Sequence, residues 1–170
     1  FRTVLGYIMF PMDFLTDWSL AEKKERARYL LDKVNVKDSE DKYPDELSGG
    51  MQKRVGIARA IALNTEYLFC DEPNSGLDPE TSIVIDQLIS SLTKELGITT
   101  IMNTHDMNSI LEIGDNIGFL HKGTILWEGD RHSILSSDCR QLTDFLCSNT
   151  LARNIIRPHG LKMSGHGSLV

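Results

Sequence analysis

The sequence predicts an α/β fold: a largely parallel sheet with an α-helical subdomain ahead of it. Three observations carry that reading. Residues 19–64 alternate between amphipathic helix, polar loop and a second helix. From Thr65 onward the short apolar runs "YLFC", "ITTIM" and "IGFLH" appear, each stopping abruptly at polar residues. Helical patterns separate these runs, and short buried strands alternating with helices argue for βαβ units and a parallel sheet.

The elements follow in order. Residues 1–18 are apolar and aromatic, and Pro11 in "MFPMDF" is expected to break any helix there. Ser19 and Glu22 have capping-box spacing. Ala27, Leu30, Leu31 and Val34 then recur at i, i+3, i+4, i+7, one face of an amphipathic helix. The stretch "NVKDSEDKYPDE" is a polar loop, and "LSGG" opens the next helix. "YLFC" ends in Asp71 and Glu72. Asp78-Pro79 is a helix start, with Asp78 as N-cap and Pro79 at the first helical position. "ITTIM" ends near Thr104-His105, and "DMNSILEIG" reads as helix. "KG" at 122–123 turns "IGFLH" into "TILWEG" as a hairpin. Residues 131–153 look helical, and "RPHGLKMSGHGSLV" reads as a loose tail. The domain reading is 1–64 helical, 65–130 α/β, and 131–170 C-terminal helix and tail.

Composition narrows the function. The 170 residues suit one domain that buries about 70% of its surface. With 18 Lys+Arg against 24 Asp+Glu the net charge is -6, which argues against a surface that coats nucleic acid. Three cysteines without a CxxC pair fit a reducing compartment rather than a disulfide framework. No apolar run approaches the roughly 20 residues that span a bilayer, and there is no signal peptide. A start at Phe1 suggests that an N-terminal part of a longer protein is absent.

Four stretches carry chemistry. A helix N-terminus presents unpaired N–H groups and partial positive charge. Ser48 can cap it, while Gly49 and Gly50 let another molecule approach the backbone. Together they suit an anion, most naturally a phosphate, although an ordinary capped helix would look the same. Asp71 and Glu72 end a buried strand, at the sheet edge where α/β proteins bind ligands. Neighbours on a strand point to opposite sides, so one carboxylate can hold Mg²⁺ and the other can deprotonate a water. Ser75 and Asp78 lie in "NSGLDPET", where the helix cap is one role and a site role would be additional. His105 ends the next strand level with the carboxylates.

In this order the four stretches resemble the ATP-binding cassette (ABC) ATPases. "LSGGM" (Leu47, Ser48, Gly49, Gly50, Met51) is similar to that family's signature motif, with Met51 where many members have Gln. "YLFCDE" is similar to Walker B, "SGLD" to the D-loop, and His105 to the switch histidine. The resemblance covers roughly residues 1–130 and implies a partial P-loop NTPase fold. It implies ATP and Mg²⁺ as ligands, Asp71 for the metal, and Glu72 and His105 as catalytic groups. A second copy of the subunit would complete an ATP sandwich, with the signature of one copy facing the Walker A of the other. A transmembrane permease subunit would be the further partner, with the domain at the cytoplasmic face of the membrane. "GYIMFP", "KYPDELSGGMQKRVGIARAIAL", "NTHDMNS" and "WEGD" resemble the ATPase of Mla-type phospholipid transporters more narrowly.

No G-x-x-x-x-G-K-[ST] occurs in the sequence. The resemblance implies that this motif, the adenine-stacking aromatic and the Q-loop precede Phe1, and that these residues alone neither bind ATP tightly nor hydrolyse it. It also places a family strand between residues 98–104 and 116–121, which must then pair directly or leave a gap. Two other classes stay open. One is a soluble ABC ATPase acting as a mechanical switch. The other is a non-catalytic interaction module.

Overall fold

The computed structural model describes residues 2–148. It forms two compact units, one ending at His105 and one beginning at Asp106.

The first unit opens with α1 (Val4–Leu15), whose N-cap Thr3 accepts from the Gly6 amide. Pro11 lies inside α1 rather than ending it. A proline removes one donor and crowds the preceding turn, but Val4, Leu5, Ile8 and Met12 bury one face along the whole helix, and that packing holds it together. α2 (Leu20–Lys33) begins with the expected capping box, Ser19 and Glu22 each accepting the other's backbone N–H. Bonding to Ser19 also holds the Glu22 carboxyl below its usual range. A single 3₁₀ turn, Pro44–Glu46, leads into α3 (Gly49–Ala60).

α1, α2 and α3 pack on one another. Two arginines lock the last pair reciprocally. Arg26 of α2 donates to the carbonyls of Ile61 and Ala62 at the end of α3. Arg54 of α3 donates to those of Val34 and Asn35 at the end of α2. Each cation meets the negative end of its neighbour's helix dipole.

β1 (Tyr67–Asp71) and β2 (Thr99–Asn103) pair in parallel, in register from Tyr67↔Thr99 to Asp71↔Asn103. α4 (Pro79–Leu96) connects them, starting at Asp78 and ending at Gly97, whose φ of 64° suits a residue without Cβ. α4 packs on β2, where the hydroxyls of Thr93 and Thr100 lie 2.6 Å apart. The opposite strand face stays exposed, Phe69 at 72% and Ile101 at 50%.

The second unit holds α5 (Met107–Ile113), the hairpin β3 (Ile117–His121) and β4 (Thr124–Gly129), and α6 (Arg140–Ser148). Lys122 and Gly123 both take positive φ, as a tight hairpin requires. Met107, Ile134, Leu142 and Leu146 form its core. The third apolar run pairs antiparallel with β4, as the turn at Lys122-Gly123 implied, so the described residues hold a parallel β1–β2 pair and an antiparallel hairpin. One expectation changes here. Residues 131–139 are a turn and a short 3₁₀ segment, and helix begins only at Arg140. Asp130 accounts for this: its carboxylate takes the amides of His132 and Ser133 and the Ser133 hydroxyl, which closes a turn. The tail expected after about Arg153 lies outside the described residues.

Candidate functional site

The parallel pair carries the first cluster. β1 and β2 end at the same level because Asp71 and Asn103 are register partners. The ladder runs one residue further, the Glu72 amide donating to the Asn103 carbonyl at 2.9 Å. At Glu72 the chain turns into the left-handed region, φ 46°. For a residue with a side chain that conformation costs on the order of 1–3 kcal/mol. The Ser75 amide bonds back to the Glu72 carbonyl at 3.1 Å and helps to hold it there. This bend replaces simple strand alternation as the reason the two acids diverge.

Glu72 Oε1 lies 2.7 Å from His105 Nδ1. The His105 ring is 78% exposed and the Glu72 side chain 33%, so the pair sits at an open edge. Asp71 Oδ1 accepts from Asn103 Nδ2 at 2.7 Å. Among the described residues no group of three or more His, Cys, Asp or Glu is arranged to cage a metal. A single exposed carboxylate still fits Mg²⁺, which keeps several waters and takes its remaining ligands from substrate phosphates. Asp71 would hold it. Cys70 precedes Asp71, and burial pushes its thiol up, so it stays protonated and unreactive.

The second cluster forms where α3 meets α4. Ser48 Oγ caps α3 by accepting the Met51 amide at 3.3 Å. Leu47 is buried and anchors the entry to the helix. The two glycines differ. Gly49 is exposed, and a Cβ there would meet only Leu77 Cδ2 at 3.6 Å. Gly50 is buried, and a Cβ there would come within 2.5 Å of Thr81 Cγ2. The bareness of Gly50 is therefore accounted for by α4 packing, whereas Gly49 keeps an open backbone. Thr81 also bonds Asp78 twice, its amide to Oδ1 at 2.9 Å and its hydroxyl to Oδ2 at 2.6 Å. These bonds, the hydroxyl's first, hold the Asp78 carboxyl below its usual range. Ser75 and Gly76 form the exposed turn between Glu72 and Asp78.

The structure thus brings Asp71, Glu72 and His105 together, and separately brings Ser48, Gly49 and Gly50 to the start of α4. Two polar residues were missed in the sequence. Asn103 stands at the end of a β-branched run, where asparagine is unfavourable. Asp86 is 2% exposed and accepts from the buried Asn74 amide at 2.8 Å, tying the 73–77 loop to α4. The signal for Asp86 was a charge on the apolar face shared by Ile85 and Ile89.

Residues 3–75 match the family model described as ABC transporter. The methionine import ATP-binding protein MetN of Carboxydothermus hydrogenoformans is 42% identical over 128 residues, covering 75% of this chain and 38% of that protein. A MetN 1 of Yersinia pestis bv. Antiqua is 36% identical over 163 residues, covering 96% of this chain and 47% of that protein. The chain therefore spans less than half the length of these curated relatives. Among solved structures, the ATP-binding cassette MJ0796, a dimer in a post-hydrolysis state bound to ADP and Pi, superposes with a TM-score of 0.66 at 32% identity, over 76% of this chain and 57% of that one. The cassette MJ1267 gives 0.71 at 25% identity, over 85% and 62%. The fold is that of an ABC ATPase, as its motif order led us to expect. The relatives are named for methionine import, and the narrower phospholipid resemblance finds no support among them.

Proposed function

We infer that this chain is part of an ABC transporter ATPase domain and that the full-length protein binds and hydrolyses ATP to drive a membrane transporter. One observation carries the reading: the Glu72–His105 pair at 2.7 Å, beside Asp71, where two parallel strands end together. Glu72 takes up the proton of the attacking water. His105 leaves Glu72 to meet the terminal phosphate and stabilise the charge that develops on it. Asp71 would help to hold Mg²⁺, which would supply countercharge to the phosphate oxygens.

The open first turn of α3, with Ser48 and Gly49, receives the terminal phosphate of an ATP bound mainly by a second copy. Leu47, Gly50 and Met51 shape that turn. Ser75 and Asp78, in the loop joining the two clusters, link the two sites across the dimer. The ATPase domain lies at the inner face of the membrane, and its helices of residues 19–60 face the transmembrane permease.

The permease sets the cargo. Methionine is the first to test, because the relatives are named for its import. Phospholipid is the second, on the strength of "KYPDELSGGMQKRVGIARAIAL" and "NTHDMNS".

The test is Glu72→Gln in the natural full-length protein. It keeps shape and loses the base, so ATP turnover should fall by roughly 10²–10⁴ while ATP binding stays near wild type. A fall of less than about threefold would remove Glu72 from the role of base.

A further inference from the structure

We propose that Asn103 is a positioning residue for this site, fixing the Asp71 carboxylate through its side chain and Glu72 through its main chain. The proposal rests on the reading of Asp71 as the residue that helps to hold Mg²⁺.

Three contacts converge on one short stretch. Asn103 Nδ2 donates to Asp71 Oδ1 at 2.7 Å, and the Asn103 carbonyl accepts the Glu72 amide at 2.9 Å. Two residues on, His105 Nδ1 meets Glu72 Oε1 at 2.7 Å. Any residue but proline could end this ladder equally well, since the carbonyl belongs to the backbone. The side-chain amide is the part that needs explaining.

Folding does not ask for it. Asn103 and Asp71 are both exposed among residues 2–148, so burial by these residues does not call for the bond. The preceding residues, Thr99 to Met102, are mostly the β-branched kind that strands favour, and asparagine is disfavoured there. A neutral amide nevertheless has a property that suits a metal ligand. It fixes one carboxylate oxygen without cancelling the charge, as a lysine or arginine would, and so leaves Oδ2 and its full negative charge to a cation.

Asn103→Leu and Asn103→Val remove the donor while keeping the ladder, and valine also suits the strand. Each is made in the natural full-length protein on a Glu72→Gln background, so that hydrolysis does not interfere. Mn²⁺ binding in the presence of ATP is read by electron paramagnetic resonance, and ATP binding in EDTA is read beside it. We expect Mn²⁺ affinity to fall about tenfold, the lower end of what loss of a supporting hydrogen bond does to a metal site, with metal-free ATP binding unchanged. With Glu72 intact, the Mg²⁺ concentration for half-maximal turnover should rise by a similar factor while kcat at saturating Mg²⁺ stays within about threefold. Asp71→Asn separates the two ways of failing. If it weakens Mn²⁺ binding and both Asn103 variants do not, the proposal alone is overturned. If none of the three weakens it, the metal reading of Asp71 falls and takes the proposal with it.

Discussion

Gly50→Ala adds a single methyl group where a Cβ would stand 2.5 Å from Thr81 Cγ2. Carbon atoms pack at about 3.5–4.0 Å, so more than an ångström must be found. Thr81 cannot turn its methyl aside cheaply, because its hydroxyl is held 2.6 Å from Asp78 Oδ2. Overpacking of this kind costs about 1–3 kcal/mol. Exchanging glycine for alanine in a helix returns up to about 1 kcal/mol, and less in a first turn. Gly49→Ala in the same turn is the control, since its Cβ meets nothing closer than 3.6 Å and it shares the propensity gain. The difference between the two variants isolates the clash. At about 2–4 °C per kcal/mol for a protein of this size, Gly50→Ala should melt roughly 2–12 °C below Gly49→Ala. Thr81→Ser completes the cycle: it deletes the methyl, keeps the hydroxyl on Asp78, and should recover most of the loss in combination with Gly50→Ala. Equal melting of the two glycine variants, or no recovery with Thr81→Ser, would show that α4 packing is not what keeps residue 50 bare.

Two further outcomes concern stability. Asp78→Ala removes the acceptor of the Thr81 amide and hydroxyl. Because the folded carboxyl titrates below its unfolded value of about 4, its contribution is complete above that pH and is lost as pH falls through the lower folded value. The gap in melting temperature between wild type and variant should be open at pH 7 and narrow by pH 3, and a gap indifferent to pH would refute the assignment. Arg26→Met keeps the apolar stem but frees the carbonyls of Ile61 and Ala62. It should cost about 1–3 kcal/mol in urea unfolding, and a cost under about 0.5 kcal/mol would mean that water serves those carbonyls as well.

Local physics was enough for much of this protein. The capping box at Ser19 and Glu22, the Asp78-Pro79 start of α4 and the hairpin turn at Lys122-Gly123 each depend on a few neighbouring residues, and each formed where its chemistry pointed. The α/β class and the grouping of Asp71, Glu72 and His105 at one strand end were legible for a similar reason: an apolar run with polar residues at its end states where a strand stops and what stands there. The remaining features depended on partners distant in sequence. Pro11 stays helical because one face of α1 is buried along its length, which its own propensity does not report. Gly49 and Gly50 are identical in the sequence, and only the approach of Thr81 from α4, across 31 residues of chain, makes one a packing requirement and leaves the other open. Asn103 finds its partner only through register, which sets it opposite Asp71, because hydrogen bonds between side chains exist only after the backbone has been brought together.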